Sequence, residues 1–202
     1  MSSTITLKND SDQPVRVAIF KKPVKNPHLP TIAWKIAELP PQGDQSIALP
    51  AAYEVFAEFG TPDDPSNTTF RTDTLNFAEH TARFVVESAQ SQDGRADGAI
   101  LKQSFDGLVI NEIHVMNQFE LGVRVNIAKD GSTLYDPQIA SPGSAFVEDL
   151  GGLLYAAVIN EKTSEGDRLV MEEFASNEAE VSGGITLVVT GSAWVGYAIA
   201  TA

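Results

Sequence analysis

The sequence predicts an all-β fold, an internally duplicated antiparallel β-sandwich, and three observations predict it. Residues 5–19 (ITLKNDSDQPVRVAI) and 113–127 (IHVMNQFELGVRVNI) align without a gap 108 positions apart, sharing Ile, Asn and the cluster Val-Arg-Val-x-Ile. Apolar residues come in short bursts of strand length separated by turn residues, the pattern of sandwiches and barrels. Nothing sustains a 3.6-residue apolar period, and residues 171–179 (MEEFASNEA) are the best local helix candidate. A repeat of about 100 residues is too long for a solenoid unit. Two similar β units are therefore expected, 1–107 and 108–202, as two lobes or as one pseudo-twofold body.

The elements follow in order. Strands over 5–8 and 15–20 flank the connector Asn9-Asp10-Ser11-Asp12-Gln13-Pro14, whose residues make their own local turn hydrogen bonds. A strand over 31–36 follows a segment stiffened by Pro23, Pro27 and Pro30, which favour loop or sheet edge. After Pro40-Pro41-Gln42-Gly43 come strands over 46–49 and 53–59, the latter alternating an apolar with a mostly acidic face. A Pro- and Asp-rich loop over 60–69 leads to strands over 70–77, 82–88 and 99–104. The second copy repeats the order. Ser141-Pro142-Gly143 answers Pro41-Gln42-Gly43, Leu153-Leu154-Tyr155 answers Ala51-Ala52-Tyr53, and Leu187-Val188-Val189 answers Phe84-Val85-Val86. The connector between copies, residues 105–111 (FDGLVIN), is apolar, unlike a free linker.

Residues 185–202 (ITLVVTGSAWVGYAIATA) form an 18-residue run without a charged side chain, near the minimum for a spanning helix. Glycines interrupt it and its Ile, Val, Trp and Tyr favour strands. It reads as two strands joined near Gly191-Ser192, not as a transmembrane segment.

Charge and composition exclude several function classes. The net charge of −13, from 27 acidic and 14 basic residues, argues against nucleic acid and anionic membranes, which reward Lys and Arg clusters. Cysteine is absent, so no disulfide, thiol nucleophile or thiolate metal site exists. The start MSSTITLK lacks the basic and apolar regions of a signal peptide, so a cytoplasmic protein, or one exported without a recognisable signal, is expected.

Residues 15–59 contain a Val-x-Val-Ala-Ile-Phe strand, a Pro-punctuated loop, Ile32-Ala33-Trp34-Lys35, Pro40-Pro41-Gln42-Gly43 and Tyr53-Glu54-Val55-Phe56. This order resembles the bacterial proteins related to the rhizosphere-expressed protein RhiA. The resemblance covers under a quarter of the chain and is not doubled, because Asp136-Pro137-Gln138 lies where the second Trp would stand. It implies a bacterial source and a role in interaction with a surface, a host or another copy, and it carries no catalytic residues.

Catalytic signals are weak. His28, His80 and His114 lack zinc-site spacing, and Ser88, Ser141, Ser144 and Ser192 lie outside any Gly-x-Ser-x-Gly elbow. The loop over 92–98 (QDGRADG) reads as Asp-Gly turns, since Arg95 would oppose a calcium ion; Asp63-Asp64 and Glu172-Glu173 read as solvated charge. No cofactor or metal is expected. Among the aromatics Trp34, Tyr53, Phe56, Tyr155, Trp194 and Tyr197, a sugar-stacking surface competes with core packing. The ligand-binding candidates are Trp34, Tyr53 and Trp194, with Arg16 and Arg124, which the repeat retains and whose strand positions place them on a common sheet face. The expectation is a non-catalytic β-sandwich interaction protein, with a protein partner or self-association. The alternative is a carbohydrate- or lipid-binding module of lectin or toxin type.

Overall fold

A computed structural model describes residues 3–60, 70–78, 80–90, 96–159 and 162–202. The Asp63-Asp64 pair and residues 92–95 of the Asp-Gly loop lie outside the described residues. Residues 1–107 carry β1 (Ser3–Asn9), β2 (Val15–Lys21), β3 (Ala33–Leu39), β4 (Asp44–Leu49), β5 (Tyr53–Phe59), β6 (Phe70–Arg71), β7 (Leu75–Phe77), β8 (Ala82–Gln90) and β9 (Ala96–Ser104). Residues 108–202 carry β10 (Glu112–Asn117), β11 (Val123–Lys129), β12 (Ser132–Thr133), β13 (Gln138–Ala140), β14 (Ala145–Asp149), β15 (Leu154–Ile159), β16 (Ala179–Val181), β17 (Thr186–Ser192) and β18 (Gly196–Thr201). The fold is all-β. Of the candidate helix over 171–179 only a single 3₁₀ turn, Met171–Glu173, forms, and its three residues are exposed.

Four sheets result, ordered β18-β17-β1-β4, β9-β8-β10-β14, β3-β2-β15-β16, and β12-β11-β5-β6 with β13 added to β11 and β7 to β5. Each contains strands from both halves of the chain. The ladders that join the halves are β1–β17 and β8–β10, both parallel, and β2–β15 and β5–β11, both antiparallel. The parallel pairs were not visible in the sequence, because parallel partners are brought together by long crossovers rather than by a turn.

The joining registers correspond. Thr6 faces Thr186 as His114 faces Arg83, and Val17 faces Val158 as Val125 faces Ala57. The repeated Asn has a structural use in both places. Fully buried Asn9 donates from Nδ2 to Gln13 O (2.8 Å) and Pro40 O (2.9 Å) while its Oδ1 accepts Ser11 N (3.0 Å). Fully buried Asn117 donates to Leu121 O and Ala140 O, both at 2.8 Å, while its Oδ1 accepts Phe119 N (2.9 Å). Each amide ties a strand end to two loops, satisfying backbone groups that burial would otherwise leave unpaired.

One continuous core draws on all four sheets, from Ile5 and Leu7 of β1 through Val17 and Ile19 of β2 to Phe84, Val115, Val158 and Leu187. Strand β2 is buried on both faces, because Ala18 and Phe20 pack under Leu169 and Phe174. The expected strand over 70–77 is split into β6 and β7 around Thr72, whose buried Oγ1 accepts the amide of Ala57 (3.0 Å) in place of a ladder bond.

Candidate functional site

A cleft of about 460 Å³ opens at the ends of β2, β5, β11 and β15. Lys21 ends β2 and Lys129 ends β11, and both line the cleft. Lys21 is 3% exposed and its ammonium donates to the carbonyl of Gly152. That loop is set by Gly152 N, which donates to Asp149 Oδ1 (2.6 Å). A side chain at Gly152 would begin 3.0 Å from the Lys21 nitrogen, so glycine makes the contact feasible. The Lys129 ammonium lies 4.3 Å from the centroid of the Tyr53 ring, a cation–π contact. Tyr53 is fixed in turn, donating to Leu150 O (3.2 Å) and meeting the edge of His80 at 6.2 Å.

Burial is the main electrostatic force here. It pushes the Lys21 ammonium down to about 8, with the neighbouring Lys129 charge acting in the same sense and Asp149 and Glu148 opposing. Burial likewise lowers Lys129 and raises the phenols of Tyr53 and Tyr135. Folded Lys21 releases its proton near pH 8, whereas the unfolded chain holds it to about 10.5. Between those values the unfolded state binds more protons, so stability rises with pH, by up to about 1.4 kcal/mol per unit. The urea midpoint is expected to increase from pH 7 to pH 9.5, and Lys21→Met should remove most of that slope. Above pH 10 the buried tyrosines act in the opposite direction, because only the unfolded phenols ionise.

The five residues singled out in the sequence are dispersed. Tyr53 lines the cleft. Trp34 is fully buried in β3, with its indole N–H donating to Lys129 O (2.8 Å), so it has no face to offer a sugar and serves the core. Arg16 and Arg124 belong to different sheets and do not share a face: Arg16 pairs with Glu38 (3.1 Å) and donates to Thr163 O (2.7 Å), while Arg124 lines a shallow groove with Asp136 and Arg168. Both lie on strands, but β2 pairs with β15 and β11 with β5, in separate sheets.

Trp194 is 90% exposed and Val195 84% exposed. The hairpin turns at residues 193–195, not at Gly191-Ser192 as expected, since β17 runs through both residues. Gly191 has φ 98°, and a Cβ there would stand 2.3 Å from Gly196 O, so this glycine permits a close strand contact and not the turn itself. Trp194 therefore sits at the tip of the hairpin. Gln13 steadies the tip, its Oε1 accepting from Tyr197 Oη (3.1 Å) and Ala193 N (3.5 Å).

No family model matches the chain, and neither a curated protein nor a solved structure is similar to it. Among the described residues there is no cluster of three or more metal-ligating side chains and no helix long and apolar enough to cross a membrane. The sequence reading missed Lys21 and Lys129. The signal was present, because both stand two residues beyond the end of the aligned segment at the same offset of 108.

Proposed function

We propose that this chain is a non-catalytic interaction protein that engages a protein partner, a second copy of itself included, through the apolar tip of its C-terminal hairpin. The observation that carries the reading is Trp194, 90% exposed beside Val195 on a turn held by Gln13. A large aromatic presented on an ordered turn loses little conformational freedom on binding, and tryptophan is enriched among the residues that dominate interfaces. The connector adds a second exposed apolar segment, with Phe105 at 73% and Ile110 at 82% exposure. The resemblance of residues 15–59 to RhiA-related proteins supports a bacterial setting.

The same tip favours a second reading, a carbohydrate- or lipid-binding module, because an indole offers an apolar face with a polar handle. The charge of −13 directs the lipid form of that reading to zwitterionic surfaces. Light scattering across a concentration series, a glycan array and co-sedimentation with phosphatidylcholine vesicles separate the readings. Trp194→Ala is expected to weaken whichever association appears by tenfold or more, as at an interface hot spot of about 2 kcal/mol. A monomer at all concentrations that ignores glycans and vesicles, or an association indifferent to Trp194→Ala, would refute the assignment.

A further inference from the structure

The cleft gathers two ammonium groups, neither of them in a salt bridge with a carboxylate of the described residues. Among the described residues neither Lys21 nor Lys129 makes an ion pair: Lys21 donates to a backbone carbonyl and Lys129 rests on the Tyr53 ring. The acidic groups nearest to Lys21 are already engaged. Glu148 is fully buried and accepts Val24 N and Lys25 N, each at 2.8 Å, and Asn26 N at 3.2 Å. Asp149 Oδ1 accepts Gly152 N. At Lys21 burial and the like charge of Lys129 disfavour the ammonium, and Asp149 and Glu148 offset this only in part. An anion entering the cleft would relieve both penalties at once.

The remaining lining decides which anion. Leu49, Leu150, Leu153 and half-buried Leu154 line the cleft, Leu153 with 46% exposure, so the cleft offers carbon surface next to its charge. Such a site favours an amphiphile over a fully hydrated ion, since apolar burial adds to the charge contact. We propose that this cleft binds a small organic carboxylate, its head between the Lys21 and Lys129 ammonium groups and its apolar body along Leu49, Leu150 and Leu154. The site is independent of the hairpin tip, so it stands or falls apart from the function proposed above.

Titration calorimetry at pH 7 with octanoate, methyl octanoate and inorganic phosphate tests the proposal on the full chain. Octanoate is expected to bind saturably with one site per chain, the neutral ester not to bind, and phosphate to bind more weakly than octanoate. Lys129→Met should weaken octanoate by tenfold to about a hundredfold, the loss of one charge-assisted contact. A thermal melt guards against a folding artefact: free Lys129→Met should unfold in one cooperative transition, yet gain less on octanoate addition than the wild type. Lys129→Arg should retain binding. Absence of saturable octanoate binding, equal binding of the ester, phosphate binding as tight as octanoate, or unchanged affinity in Lys129→Met would each overturn the proposal.

Discussion

Trp34→Ala is expected to lower the unfolding free energy by about 3–5 kcal/mol, the range for truncating a buried large aromatic. The size of the effect follows from two losses. Trp34 is the largest fully buried side chain, so alanine opens a cavity that β3 and its neighbours close only in part. Its indole N–H also donates to Lys129 O at 2.8 Å, at the end of β11 in the other half of the chain, and that bond would be lost. Trp34→Phe separates the two. It keeps most of the volume and loses the hydrogen bond, so about 1–3 kcal/mol is expected. Urea unfolding followed by far-ultraviolet circular dichroism measures both.

Glu148→Ala is expected to be damaging, at about 2–4 kcal/mol, because it removes a fully buried carboxylate that accepts five amide N–H bonds. Glu148 Oε1 accepts the amides of Val24, Lys25 and Asp149, and Oε2 accepts Asn26 N and Asn26 Nδ2. One carboxylate from β14 thereby fastens the proline-punctuated loop between β2 and β3, a segment whose prolines remove donors and leave few backbone bonds of its own. Glu148→Gln should not rescue, since its amide nitrogen would meet amide donors. Besides the shift in urea midpoint, limited trypsin digestion should cut sooner at Lys25 in both variants.

What the sequence revealed depended on how local the physics was. Strands β1, β2, β5, β8 and β17 announced themselves by alternation and β-branched residues, and the corner after β1 by its Asx-rich run, because these are settled within a few residues. The pairing of β2 with β15 and of β5 with β11 was not legible, since a strand's edge carries no label for a partner more than sixty positions away. The candidate site suffered for the same reason. Trp34 looked like a binding aromatic until packing enclosed it, and Arg16 and Arg124 looked like one face until they fell in separate sheets. Lys21 and Lys129 each look like an ordinary strand-end lysine; only the union of the halves turns them into two charges in one cleft.

That union is the central structural claim. Taken alone, residues 1–107 supply only the pairs β1–β4, β2–β3, β8–β9 and β5 with its short neighbours, because every third and fourth strand comes from the other half. Two-stranded hairpins are marginal in water. A ¹⁵N–¹H correlation spectrum of residues 1–107 expressed alone tests this most directly: the shared-sheet account predicts narrow amide dispersion that becomes wide and native-like when residues 108–202 are added. Wide dispersion from the isolated half would contradict it.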